Sequence, residues 1–209
     1  EVRSDGLWSE CTCETPFEHW TYGLEAFAVR LDSPGDALRG EIGERLPLGF
    51  DLEWEVLSPV MASSASRYEQ AGVVHGEVLI GRERIEFQGH GMRSHGWDAE
   101  PWVAPWAAAS FQSGDAYAVS VNDAGCVWRG GDEIERLATV ELGSQSDDEG
   151  LPTSARLILD GEEIDVDLGG MAVVPLEGYT GRASRLVRVL CRFAGRDGTE
   201  SLGWAEWVR

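Results

Sequence analysis

The sequence predicts an all-β, antiparallel protein of the barrel or sandwich kind, and three observations carry that prediction. Turn signals recur about every ten residues between short alternating segments. Glycine is abundant, at 26 of 209 residues. Long helical periodicity is absent, and the Ala-rich run from Pro105 to Ser110 is too short to stand as a helix.

Three hairpins follow in chain order. The clearest joins Val73–Ile80 to Arg84–Met92 through Gly81-Arg82, where glycine at the first loop position suits a type II′ turn. A second joins Ala155–Asp160 to Glu163–Leu168 near Asp160-Gly161. The third joins Ser184–Ala194 to Ser201–Val208 through Arg196-Asp197-Gly198. In the second hairpin Ile164, Val166 and Leu168 alternate with Glu163, Asp165 and Asp167, so the acids point outward.

The first hairpin fixes its own faces. A two-residue turn pairs Ile80 with Glu83, Val78 with Ile85 and Gly76 with Phe87. One face then carries Val74, Val78, Ile85 and Phe87, and continues to Gln70 and Arg93. The other carries His75, Glu77, Glu86, Gln88 and His90. Glu77 opposite Glu86 is repulsive if buried, so this second face is expected to meet water. Gln70 and Arg93, polar at the end of an apolar face, are candidates for a cavity rim.

Charge narrows the partners. Acidic residues number 37 against 17 basic ones, a formal charge of -20. Such a surface repels phosphate backbones and anionic headgroups, which argues against nucleic-acid or membrane-surface binding. All the basic residues are arginine, so mechanisms that need a lysine are excluded, Schiff-base formation among them. The stretch Gly143 to Gly150, with Asp147-Asp148-Glu149, reads as a solvated loop without calcium-ligand spacing. No apolar run has the length of a membrane span, and the first residues lack the form of a signal peptide. Cys11, Cys13, Cys126 and Cys191 are too scattered for a disulfide framework. Free, mostly buried thiols in a reducing compartment are expected, which makes the protein cytoplasmic.

One segment is rich in chemistry. Residues 89–106 hold His90, Arg93, His95, Asp98, Glu100 and three tryptophans, Trp97, Trp102 and Trp106. Their glycines and prolines predict a loop or irregular crossover rather than a regular strand. Packed inward, the indoles would wall an apolar pocket and hold a polyene or a developing cation. His95 and Asp98 would supply proton transfer, and a carboxylic acid desolvated by indoles becomes a usable acid near neutral pH. The alternative is a packed crossover whose tryptophans plug a barrel end. His90, His95 and Asp98 have the residue types of a metal site, but a strand places the two histidines on opposite faces, so no metal is expected. A serine hydrolase using Ser94 or Ser110 lacks the strand–turn–helix elbow.

Near the C-terminus, Glu206 shares parity with Leu202, Trp204 and Val208. That puts a second candidate acid on an apolar face, although Arg185, Arg188 and Arg192 on the preceding strand offer it structural partners.

The run from Tyr68 to Gly81, followed by Gly89-His-Gly-Met-Arg-Ser-His-Gly-Trp-Asp-Ala-Glu-Pro-Trp102, resembles the hydroxyneurosporene-synthase/AttH-like family, which includes carotenoid 1,2-hydratase. Gly89, Gly91, Arg93, His95, Trp97 and Trp102 match a bacterial pattern close to Gly-x-Gly-x-Arg-Asp-His-Ser-Trp-Gly-x-Arg-x-Trp. Ser94, Gly96 and Asp98 depart from it, with Ser94 standing for the aspartate. The closing Gly203-Trp-Ala-Glu-Trp207 also resembles the end of such chains. The resemblance implies two lipocalin-like β lobes, residues 1–98 and 99–209, and allows the first to be incomplete.

The residues read beside this resemblance, with Asp98 outside the family's pattern, lead to the expectation of a Trp-lined cavity for an apolar terpenoid, carotenoid or polyketide, needing no cofactor. There an alkene would be hydrated, isomerised or cyclised. In that scheme Asp98 or Glu206 protonates the alkene, the Trp97 and Trp102 indoles stabilise the cation, and His95 orients water. Arg93, Gln70, His90 and Trp106 complete the substrate contacts. The competing expectation is a non-catalytic carrier or sensor of a lipophilic molecule.

Overall fold

The computed structural model describes residues 1–62, 65–97, 107–112, 116–120, 125–177, 183–195 and 200–208, of which 107–112, 116–120, 177 and 183 are described by backbone alone. The chain is all-β and antiparallel and forms two main sheets, with one four-residue helix among the described residues. Strands β1 (Val2–Ser4), β2 (Leu7–Thr15), β3 (His19–Arg30), β4 (Glu44–Val56), β5 (Met61–Ala62), β6 (Arg67–Ile80) and β7 (Glu83–Gly96) make the first sheet. Its order is β1-β2-β3-β4-β6-β5, with β7 on the other edge of β6.

The second sheet contains β8 (Ala107–Gln112), β9 (Ala116–Ser120), β10 (Gly125–Trp128), β11 (Glu135–Leu137), β12 (Val140–Ser146), β13 (Pro152–Leu159), β14 (Glu162–Glu177), β15 (Ala183–Ala194) and β16 (Glu200–Val208). They run in the order β11-β10-β9-β8-β16-β15-β14-β13-β12.

Turn chemistry sets the hairpins as the sequence predicts. Ile80 pairs with Glu83 across Gly81, whose φ is +64°. Asp160 and Gly161 both take positive φ between Leu159 and Glu162, the requirement of a type I′ turn. β15 and β16 pair from Leu186–Val208 to Ala194–Glu200. The loop residues Arg196, Asp197 and Gly198 lie outside the described residues.

The second sheet has the larger core. Leu157, Leu159, Ile164, Val173, Val187, Val189, Cys191, Phe193, Ala205 and Trp207 are buried together on one face. In β14 the buried parity switches from Ile164 to Val173. The register with β15 shifts between Leu168 and Met171, so a bulge at Gly169-Gly170 keeps both halves of this long strand facing the core. Asp165 and Asp167 point out and are exposed, as alternation requires.

Two further contacts join the sheets. Met61 and Ala71 of the first are buried with Cys126 and Trp128 of the second, and Met92 and Ile134 pack against them. From the β3–β4 connection, helix α1 (Asp36–Arg39) lays Ala37 and Leu38 on the core of the second sheet. Arg39 pairs with Asp36 and with Glu149 in the acidic loop.

The thiols divide evenly. Cys126 and Cys191 are buried, whereas Cys11 and Cys13 are exposed on β2, so burial is less general than the sequence suggests. Burial pushes the Cys191 thiol up to about 11. Burial also raises Cys126, with Arg136 opposing and Glu69 reinforcing the shift. An aromatic disulfide reagent at about pH 8 is therefore expected to titrate the two exposed thiols quickly in native protein and all four only after denaturation. Fast release of four equivalents from the native protein would contradict this burial.

Candidate functional site

Residues 89–96 form a regular strand, not the irregular crossover expected from their glycines. β7 pairs with β6 without interruption from Ile80–Glu83 to Arg67–Gly96, and the Trp97 amide extends the ladder to the Ser66 carbonyl. Backbone pairing with a long neighbour outweighs the local composition. The turn-derived parity therefore holds over the whole hairpin, and it sorts the candidate residues onto two faces.

Through the β4–β6 and β3–β4 registers, one face unites Trp20, Tyr22 and Leu24 with Phe50, Leu52 and Trp54. The same face continues to Tyr68, Gln70, Val74 and Val78 on β6 and to Phe87, Arg93 and His95 on β7. Glycine shapes it at one place. Gly72 pairs with Gly91, and a Cβ built on Gly72 would stand 2.3 Å from the Trp54 indole. Their missing side chains let that indole lie against the backbone, and Trp54 is 3% exposed.

Arg93 lies within this aromatic group. Its guanidinium sits 4.1 Å from the Trp20 ring centroid and 5.4 Å from that of Tyr68. Its Nη1 donates to the Tyr68 hydroxyl at 2.9 Å. Most of the described arginines pair with carboxylates. Among the described residues no carboxylate pairs with Arg93, so none of them supplies the salt bridge that would make it purely structural.

Neighbouring polar atoms are also unmatched. The Nε1 atoms of Trp20 and Trp54 and the Oε1 of Gln70 are buried without a hydrogen-bond partner among the described residues. Gln70 is fixed by its other end, where Nε2 donates to the Phe17 carbonyl at 3.3 Å. Burial raises the Tyr22 phenol above its ordinary range; the Cys11 thiol adds to this and Arg93 opposes it. Tyr22 is therefore protonated at neutral pH. The face combines excess hydrogen-bond donors with indole and phenol surfaces. Such a surface suits an apolar molecule bearing an oxygen acceptor.

His95 stacks on Tyr68 at 5.4 Å between centroids, and Trp97 lies 5.8 Å from His95. Both side chains are exposed, and Trp97 is 60% exposed. They border the aromatic group rather than line a dry hollow. Asp98, Trp102 and Trp106 lie outside the described residues.

His90 occupies the other face of β7 and does not join Arg93. It lines a cleft of about 850 Å³ between β7 and the strands β15 and β16, together with Phe87, Met92, Leu190, Leu202 and Trp204. The expectation that this second face meets water holds for Glu77 and Glu86, half-buried and exposed, but not for Ala71, which is fully buried against the second sheet. Glu206, the other candidate acid, is on β16, ion-paired with Arg188 across the ladder. Arg188 in turn lies 5.9 Å from the Trp204 ring centroid. Among the described residues, no group of His, Cys, Asp or Glu is placed to hold a metal ion.

Trp20, Tyr22 and Trp54 escaped the sequence reading. Their alternation with His19, Thr21 and Glu53 is visible in the sequence, but their meeting with Arg93 depends on the order β3-β4-β6-β7.

Over residues 2–209 the chain matches the family described as Domain of unknown function (DUF7064). It belongs to that family. No curated protein matches it in sequence. Among solved structures it is similar to kievitone hydratase from Nectria haematococca, at 10% identity and a TM-score of 0.55, over 97% of this chain and 88% of that one. At this identity the likeness is one of fold. The DUF7064 chain thus has a kievitone-hydratase-like β fold, in keeping with the fold implied by the hydroxyneurosporene-synthase/AttH-like resemblance.

Proposed function

We propose that this DUF7064 protein binds an apolar, oxygen-bearing small molecule on the aromatic face around Arg93 and hydrates, isomerises or cyclises it there. The observation that carries the reading is the half-buried Arg93 guanidinium, stacked on Trp20 and paired with no carboxylate among the described residues. A cation in such surroundings is best satisfied by an acceptor on a bound molecule. The hydratase-like fold supports the reaction class.

In this scheme Arg93 and Gln70 orient the oxygenated end, and Trp20, Trp54 and Tyr68 contact the apolar body. Hydration requires that an alkene carbon gain a proton and the adjacent carbon gain the oxygen of water, which then loses a proton. The sequence assigns the acid role to Asp98, immediately after Trp97, and gives His95 the water. Glu206 is the weaker choice, being held by Arg188.

One observation favours the carrier reading. Among the described residues no carboxylate converges with His95 on the aromatic face. Mass spectrometry separates the alternatives. Organic extracts of the purified protein should contain an apolar compound with at least one oxygen, and incubation should give a product heavier by one water, isomeric or cyclised. Binding without turnover supports the carrier. A protein from which nothing apolar is extracted, and whose tryptophan fluorescence ignores such compounds, would refute both.

Arg93→Met is expected to weaken binding about ten- to a hundredfold, the usual cost of one hydrogen bond to a charged group. Titration by tryptophan fluorescence reads this, with Arg82→Met on the exposed turn as the control.

A further inference from the structure

We infer that the Arg93 site selects ligands with an anionic head, a carboxylate or an enolate, over neutral hydrocarbons of the same shape. This rests on the proposed binding face and narrows its ligand class. The imbalance of donors over acceptors carries the inference. Arg93 donates to the Tyr68 oxygen, also bonds Tyr22 and stacks its flat surface on Trp20, which leaves the rest of its five N–H groups for a ligand. The indole N–H groups of Trp20 and Trp54 are buried without acceptors.

Trp54 is 3% exposed with an unmatched donor, whereas the unmatched atom of Gln70, 2% exposed, is the acceptor Oε1 and offsets one donor of the surplus. Cross-strand register sets Trp20 beside Trp54 and Gln70 beside Arg93 on one face of the sheet. Buried donors without partners are unfavourable, and one anionic oxygen can accept from several of them.

A neutral polyene would satisfy the ring surfaces and leave these donors unmatched. A planar delocalised anion meets both needs: its oxygens face the guanidinium and its body lies on the rings. The protein carries a formal charge of -20, so long-range attraction does not bring anions in. Selectivity must arise at short range, from the donors themselves.

The test compares cis-parinaric acid, a fluorescent polyene carboxylate, with its methyl ester, which keeps the polyene and removes the charge. The wild-type protein should bind the acid at least about tenfold tighter than the ester. Arg93→Met should weaken the acid by more than it weakens the ester and so bring the acid close to the level of the ester. Arg93→Lys, which keeps the charge and loses the fork, should retain part of the preference.

Equal affinity for acid and ester in the wild type would overturn the anion selectivity while leaving the apolar binding face standing. So would an acid affinity that Arg93→Met does not change. Failure of both probes to bind a natively folded protein would remove the face itself, and the inference with it. Should Arg93→Met not fold, the wild-type comparison and Arg93→Lys still decide.

Discussion

Gly76→Ala is expected to lower stability by about 3 kcal/mol or more, seen as a fall in Tm of about 10 °C in thermal unfolding. Gly76 has φ +143°, where a side chain is strained from the outset. A Cβ there would stand 2.0 Å from the Asp51 carbonyl oxygen and 3.0 Å from the Leu52 Cα. Those atoms belong to the paired strand β4, so no side-chain rotation relieves the clash. The ladder between β4 and β6 must part at its middle.

Since β4 also carries Phe50, Leu52 and Trp54, the mutation should disturb the aromatic face and reduce ligand binding. The neighbouring turn supplies the control. Gly81 also has positive φ but meets nothing within 4 Å, so Gly81→Ala should cost about 1 kcal/mol. Equal Tm values for the two variants would show that the close approach at Gly76 is relieved without cost.

Phe193→Ala is expected to cost about 3–5 kcal/mol. Phe193 is 1% exposed and belongs to the buried cluster of the second sheet, paired with Val166 and Ser201. Removing its ring leaves a void that the strands around it can close only in part, since both backbone edges of β15 are paired. Leu202, on the opposite face of the adjacent strand and 63% exposed, should tolerate alanine within about 0.5 kcal/mol. Denaturant midpoints of the two variants check this directly. A comparable loss at both positions would mean that the cleft-facing surface is as tightly packed as the core.

The β6–β7 hairpin was legible down to its register because a two-residue turn fixes parity, and parity fixes the faces of all later residues. The same reasoning placed Asp165 and Asp167 in solvent. It failed at 89–96 because glycine, histidine and serine read locally as loop, whereas β6 supplies the backbone partners. The bulge at Gly169-Gly170 explains why one strand carries two opposite apolar parities, which alternation alone would read as two separate strands.

At the site, Gln70 and Arg93 were found on one face because a single hairpin holds both. Trp20 and Trp54 were not, since their place on the Arg93 face depends on strand order, across more than seventy residues of sequence for Trp20. Parity already places His90 on the face opposite Arg93, and counting it among the substrate contacts set that aside. Odd spacing along a strand separates the two by the thickness of the sheet.

Helix α1 has a consequence for how the two halves depend on each other. By connectivity it belongs to the first sheet, yet Ala37 and Leu38 pack on the hydrophobic interior of the second. Synthesis from the N-terminus thus delivers this plug more than a hundred residues before β13 and β14 exist to receive it. The later half thus takes part of its apolar cover, the half-buried Ala37 and Leu38, from the earlier one, and that contact can form only after the downstream strands are made.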